Sequence, residues 1–441
     1  MTDIEMAKTI AEKVALAGGR AYFVGGYVRD LLLSKKNHDI DIEIHGVTPE
    51  TLEKILDETS PYSEMGVSFG IYSLKGYDIE LSFPKNADNS PAPFLEMQDA
   101  AKRRDFTVNS MMMDIITGEV FDFFCGRDDI ESKLIRHTSE ECFIKDPIRV
   151  FRCARFSAQL GFEISYETVE LCKKQDTQDC FPERIELELK KALLNCEKPS
   201  LFFEALRRTN QLDVWFPELC SLIGVEQSPE HHSEGDVWNH TMMVIDEGAK
   251  YKNFTLSPFG FMLSCVAHDF GKAVCTENID GKIHAYSHET KGLPLIKTFL
   301  SRFTKDTKLK KYVLNLCEYH MKPNVLAGVN ASVKSTNKLF DSIIDAEAII
   351  YFAKADTDGK ISTYSPCDNT PFLKERLSVY REYMSRPYVT GKELIEAGLV
   401  PDETFTEILG YSHKLRLSGV DKESNLKQTL AYARTVKKNK R

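Results

Sequence analysis

The first third of the chain alternates short apolar runs with turn residues. AYFVGG (21–26) reads as a buried strand entering a Gly-Gly turn, and VRDLLLS as the start of a helix. HDIDIEIHG (38–46) alternates acid and isoleucine with the period of two that a strand requires. Asp39, Asp41 and Glu43 then share one face, His38, Ile40, Ile42 and Ile44 the other, and the isoleucine face is the one that packs. TPETLEKILDET (48–59) has helical periodicity, with Thr48 as the cap and Pro49 at the first helical position. SFGIYSLKGYDIELSFP (68–84) predicts a hairpin about Lys75-Gly76, NADNSPAPFLE (86–96) a loop, and MMMDIITGEVFDFF (111–124) a second hairpin turning at Thr117-Gly118.

From about residue 128 the strand signals nearly stop. Amphipathic helices follow, interrupted at VEQSPEHHSEG (225–235) and STYSPCDNTP (362–371). The last stretch, TGKELIEAGLVPDETFTEILG, is a helix, a Gly-Leu-x-Pro stop and another helix. The pattern predicts an α+β protein with a small mixed-sheet head and a mostly helical body, divided at about 1–140, 141–230, 231–365 and 366–441. A chain of 441 residues is too long for one ordinary core.

Composition narrows the class. No apolar run reaches membrane-spanning length, and the N-terminus is an amphipathic helix ending at Gly18-Gly19 without a signal-peptide core. Eleven cysteines, never spaced as CxxC, suit reduced thiols in a cytoplasm better than disulfides or a zinc cage. The net charge of −9 argues against nonspecific coating of nucleic acid but leaves room for local basic patches. Candidates are KRRD (102–105), the arginine series 149–155, KLKK (308–311) and KKNKR (437–441).

Two carboxylates at alternate positions of a strand lie about 7 Å apart. Asp39 and Asp41 can therefore jointly hold hard divalent cations, which activate an attacking hydroxyl and stabilise the leaving oxygen of a phosphoryl displacement. Upstream, Gly25-Gly26 lets backbone approach a ligand closely, and Arg29 can add a bidentate phosphate contact. Either feature alone is common; GG-x-VRD followed ten residues later by DxD is far more specific.

GGYVRDLLLSKKNHDIDI (25–42), KRRDFTVNSMMMD (102–114) and KDPIRVFRCARFSAQLGF (145–162) resemble, in order, the motifs of class II tRNA nucleotidyltransferases and bacterial poly(A) polymerases of the polymerase-β-like superfamily. The resemblance implies that Asp39 and Asp41 carry Mg²⁺ and activate the RNA 3′-hydroxyl. It assigns the triphosphate to Gly26 and Arg29, phosphate and ribose to Arg104 and Asp105, and bracing to Asn109. Glu80 is a candidate third carboxylate. Asp146, Arg149, Arg152 and Arg155, three residues apart, would lie along one drifting helix face, with Asp146 and Arg149 selecting C or A by pairing with the base edge. The implied substrates are tRNA, CTP and ATP. Two departures stand out: Lys145 occupies a position where the family usually has Glu, and the segment between ELSFP and KRRD is short. The short segment makes a CC-adding relative the alternative, ahead of an A-adding or poly(A) enzyme.

A second constellation lies downstream. His240, the adjacent His268-Asp269 and Asp356 follow the order of the HD phosphohydrolase superfamily, whose ligands suit a divalent transition metal or Mg²⁺. His284, His288 and His320 are candidate second ligands or phosphate contacts. Some relatives with such a domain hydrolyse phosphate monoesters or 2′,3′-cyclic phosphates, which implies cleaning of damaged RNA ends. A nucleotide phosphohydrolase whose head only binds a regulatory nucleotide is the alternative from another class, and intact Asp39 and Asp41 weigh against it.

Overall fold

The computed structural model describes residues 1–35, 39–64, 70–86, 90–230, 232–363 and 367–439. His38, the start of the 68–84 stretch, parts of the 86–96, 225–235 and 362–371 breaks and the end of KKNKR fall outside them. The described chain divides into two compact units, Met1–Glu188 with Leu201–Val214, and Leu189–Ser200 with Trp215–Arg441.

The first unit is built on a seven-stranded mixed sheet. Its strands are β1 (Arg20–Val24), β2 (Ile40–His45), β3 (Tyr62–Glu64), β4 (Ile71–Leu74), β5 (Ile79–Ser82), β6 (Met112–Asp114) and β7 (Val120–Phe121), in the order β3-β4-β5-β2-β1-β6-β7. Both predicted hairpins form, β4 against β5 and β6 against β7, while β2 and β5 pair in parallel at the centre. Ile40, Ile42 and Ile44 are buried beneath the sheet with Leu52, Leu56 and the N-terminal helix Asp3–Leu16. Full burial of each isoleucine contributes about 1.5–3 kcal/mol, which fixes the register of β2 and so the face on which its acids emerge. Thr48 sits at the N-cap of helix Pro49–Asp57, with Pro49 at its first position.

Beyond the sheet the first unit is helical, apart from a short parallel pair, β8 (Leu134–Ile135) with β9 (Glu163–Ile164), that the helical expectation for this region did not include. The second unit is helical except for a small hairpin, β10 (Glu277–Ile279) with β11 (Lys282–His284). At its heart helix Pro258–Ala267, PFGFMLSCVA, is apolar on nearly every side and buried from Phe259 onward, as a helix surrounded by others must be. Helices Gly391–Glu396 and Thr404–Leu417 flank the Gly-Leu-x-Pro stop, and Gly398 there has φ +84°, a left-handed conformation that suits glycine.

Candidate functional site

The parallel pairing of β2 with β5 sets Asp41 in register with Glu80, and both side chains are exposed on one face of the sheet. They stand in a cleft of about 1120 Å³, with Arg104, Asp146, Arg149 and Arg184 also on its walls. Asp39, one residue before β2, is exposed as well. Burial in the cleft raises the pKa of Asp41, Arg104 opposes that, and Glu80 and Asp39 add to the rise. Mutually repelling carboxylate oxygens are a donor set that suits a hard cation such as Mg²⁺.

Gly25 ends β1 with φ +65°, and a Cβ there would lie 3.5 Å from both Asp41 Oδ2 and Arg104 Nη1. That spacing is ordinary contact, so it is the left-handed φ that calls for glycine where the turn passes beside the acid and the cation. Glu43, placed by strand alternation with Asp39 and Asp41, is instead buried: its Oε2 accepts from Arg104 Nη2 at 2.6 Å and its Oε1 lies 3.0 Å from His45 Nε2. Burial pushes Glu43 up, but Arg104 and His45 outweigh it and hold the carboxyl below its ordinary value.

The remaining nucleotide candidates separate into two groups. Arg29 is buried, donating to Asn109 Oδ1 at 2.7 Å and to Asp30 Oδ1 at 2.8 Å. Asn109 Nδ2 donates in turn to Asp105 Oδ1 at 3.1 Å, and Arg152 Nη2 lies 2.6 Å from Asp105 Oδ2. Arg152 and Arg155 both reach Glu188. These residues form one continuous polar network, while Gly26 opens helix Gly26–Leu32. Asp146 and Arg149 line the cleft instead. Both Asp146 oxygens accept from Arg184, at 3.0 and 2.8 Å, while Arg149 Nη2 donates to Arg103 O at 2.9 Å and its buried Nη1 has no hydrogen-bond partner among the described residues. The split has a geometric cause: at 3.6 residues per turn each step of three falls about 60° short of a turn, so Arg152 and Arg155 rotate off the face that Arg149 occupies. Lys145, the charge-inverted neighbour, pairs with Glu141 at 2.8 Å. Sequence reasoning missed Glu43 as the seat of Arg104 and Arg184 as the partner of Asp146; neither lies within the three quoted motifs, Glu43 falling one residue beyond the first, and no local pattern signals its burial.

The second unit gathers its histidines. His240 comes from helix Val237–Tyr251, His268 and Asp269 follow helix Pro258–Ala267, His288 opens helix His288–Lys291, His320 ends helix Thr307–Tyr319, and Asp356 lies in helix Ala346–Asp358. Ligand atoms of His240, His268 and Asp269 lie within 4.8 Å of one another, as do those of Asp269, His288 and His320. His240 Nε2 is 3.1 Å from Asp356 Oδ1, and His288 Nε2 is 3.2 Å from His320 Nε2. All four rings direct Nδ1 to a backbone carbonyl: Gly359, Cys265, Ala285 and Cys317 respectively. An N–H there leaves each Nε2 as the inward lone pair, the arrangement that orients metal-binding imidazoles. Buried His268 Nε2 and both Asp269 oxygens lack a hydrogen-bond donor of good geometry, which in an enclosed polar cluster fits a cation. The residues therefore fit a divalent metal.

Charge in the cluster is strongly organised. Burial would raise Asp269, but His268 and Lys272 hold it well below the usual carboxylate range. Burial, with His268 and His288 beside it, pushes His320 down to about 3, which keeps its ring neutral. His284 stands apart, stacked on Tyr286 at 4.9 Å between ring centroids. Two groups the sequence reading passed over join the site: His232 Nδ1 is 2.8 Å from Glu234 Oε1, and His232, Glu234 and His240 form a third close group of ligand atoms. Their signal was the PEHHSEG break itself, in which histidine and glutamate fill four of the seven positions, while Pro229, Ser233 and Gly235 make it read as a loop.

Sheet, cleft and acid pair define a nucleotidyltransferase head joined to a histidine–aspartate centre. Residues 21–136 match the model of the poly A polymerase head domain, and 161–223 that of the probable RNA and SrmB-binding site of polymerase A. The multifunctional CCA protein of Actinobacillus pleuropneumoniae serotype 5b (strain L20) is 34% identical over 318 residues, covering 68% of this chain and 74% of the relative. That of Pasteurella multocida (strain Pm70) is 28% identical over 404 residues, 86% of this chain and 92% of the relative. The chain belongs to the multifunctional CCA protein family. Its fold matches that of the Bacillus stearothermophilus CCA-adding enzyme in complex with CTP (TM-score 0.70, 20% identity, 100% of both chains) and of the Thermotoga maritima CCA-adding enzyme complexed with tRNA (TM-score 0.65, 20% identity, 97% of this chain and 95% of that one).

Proposed function

We propose that this chain is a tRNA nucleotidyltransferase that adds C, C and A from CTP and ATP to the tRNA 3′ end, releasing pyrophosphate. Family membership supports the reaction, and one observation carries its location: Asp41 and Glu80 stand in register on the cleft face, with Arg104 on its wall. The RNA 3′-oxygen attacks the α-phosphorus of the nucleotide, the bond to the β-phosphate oxygen breaks, and the hydroxyl proton is lost to solvent or to a cleft carboxylate. Asp39 and Asp41, with Glu80 as a third carboxylate, would hold Mg²⁺; when bound, such an ion neutralises triphosphate charge and lowers the pKa of the attacking hydroxyl. Arg104, held by Glu43, meets the triphosphate, aided by the glycine turn at Gly25-Gly26. Asp146 accepts from the exocyclic amine that C and A share, and Arg149 donates to the neighbouring ring nitrogen. Arg29, Asp105, Asn109, Arg152 and Arg155 act as positioning residues that hold this wall rigid.

The centre of His240, His268, Asp269 and Asp356, with His288 and His320, is a metal-dependent phosphohydrolase acting on phosphate monoesters or 2′,3′-cyclic phosphates, and would clean RNA ends that the head then rebuilds. Mn²⁺, Ni²⁺ or Mg²⁺ suits its mixed nitrogen and oxygen donors. No helix among the described residues is long and apolar enough to cross a membrane; with its free thiols and tRNA substrate, the protein works in the cytoplasm. Asp41→Ala should lower nucleotide incorporation on the order of 10³-fold while hydrolysis of 2′,3′-cyclic AMP persists. Incorporation at the wild-type rate would refute the acid-pair assignment.

A further inference from the structure

Beside the histidine–aspartate cluster, the loop from Val225 to Val237 is drawn closed. Glu226 and Asp236 form an antiparallel bridge, and Val237 N–H donates to Val225 O at 3.0 Å. This closure fixes Gln227, whose Oε1 accepts from Lys272 Nζ at 2.8 Å; the same Nζ lies 2.7 Å from Asp269 Oδ2. A lysine only donates, so the oxygen of the Gln227 amide is the atom that must face it. The amide nitrogen is thereby turned the other way. It is buried without a hydrogen-bond partner among the described residues, on a side chain only 8% exposed.

A buried amide donor left unsatisfied costs about 1–3 kcal/mol. Here it sits one lysine away from the cluster's central carboxylate, and what it lacks is an acceptor. Asp269 and Asp356 rule out an anion binding by itself, since they would repel it; with a cation in the cluster and Lys272 alongside, the balance reverses. We infer that Gln227 and Lys272 form the phosphate-binding edge of the histidine–aspartate centre, the Gln227 Nε2–H group donating to a non-bridging phosphoryl oxygen while Lys272 supplies charge. The inference deepens the phosphohydrolase reading and rests on it for the substrate class. Gln227 is a binding group and not an acid or base, because an amide does not titrate.

The test is calorimetric titration of inorganic phosphate into the full chain loaded with Mn²⁺, with metal content measured for each protein and Asp269→Asn marking the background from the head cleft. Above that background the wild type should bind phosphate. Gln227→Ala should weaken this binding about 10-fold, the factor one lost hydrogen bond of about 1.4 kcal/mol gives. Gln227→Glu, which brings negative charge to the same place, should weaken it further, both variants keeping wild-type metal content and far-ultraviolet circular dichroism. Wild-type phosphate affinity in both variants, or no binding above background in the wild type, would overturn the inference. Hydrolysis of 2′,3′-cyclic AMP by the wild type, measured in parallel, tests the underlying reading separately: Gln227-dependent binding without turnover keeps the edge and rejects the phosphohydrolase.

Discussion

Asp41 and Glu43 are two residues apart on one strand face, yet only Asp41 emerges into the cleft while Glu43 is covered by Arg104. The difference gives Glu43 a distinct task, to anchor the Arg104 guanidinium, which the proposed function sets against the triphosphate. Glu43→Gln should lower kcat/KM for CTP and ATP about 10-fold, mainly through KM, because a neutral amide orients Arg104 less firmly; unchanged single-nucleotide kinetics would detach Arg104 from nucleotide binding. Asp105 works by burial. Desolvation would raise its pKa, but Arg152 and Asn109 outweigh it and leave the carboxyl below its ordinary value. Its stabilising contribution is therefore complete above about pH 4, the unfolded carboxylate range, and is lost as pH falls through the folded pKa. Asp105→Asn should cost about 3–5 kcal/mol at pH 7, as breaking a buried ion pair does, and the gap to wild type in urea unfolding should shrink below pH 4. A gap that widened on acidification would contradict the assigned charge state.

The elements explain which parts of the site could be read in advance. The period-two alternation of 38–46 and the two Gly-centred hairpins specify strands wherever they occur, and these strands formed. What alternation does not carry is partner choice: that β2 lies beside β5 in parallel, setting Glu80 next to Asp41, is a long-range pairing. The three-residue spacing of Asp146, Arg149, Arg152 and Arg155 likewise gives a face but not which part of it meets the cleft. In the second unit, HD adjacency marks His268 and Asp269, whereas the convergence of His288 and His320 depends on how separate helices pack. Gly271 is one cause of that packing. A Cβ there would overlap the His288 carbonyl oxygen and crowd Gly292 N, so the turn after Asp269 and the helix carrying His288 meet only over a glycine. Gly271→Ala should weaken Mn²⁺ binding by about 10-fold or more as His288 is pushed from its place, with calorimetric titration of the metal as the measurement. Wild-type affinity would mean that His288 is no ligand.

Across the whole molecule, the two compact units have opposite donor preferences. The head cleft offers carboxylate oxygens and guanidinium groups, a setting for a hard cation and a triphosphate. The helical unit offers imidazole nitrogens around Asp269 and Asp356, a setting for a softer metal. An acidic chain of net charge −9 offers nucleic acid local arginines and no bulk attraction. On the proposed function, template-free choice of C and A falls to a wall on which Asp146 is already engaged by Arg184. The most direct test is to incubate the chain with a tRNA ending at its discriminator base and with CTP alone, ATP alone or both, and to read product lengths at single-nucleotide resolution. Two added residues with CTP, none with ATP and three with both are the products of CCA addition; products that stop at two with both nucleotides, or long adenosine tails with ATP alone, would contradict it.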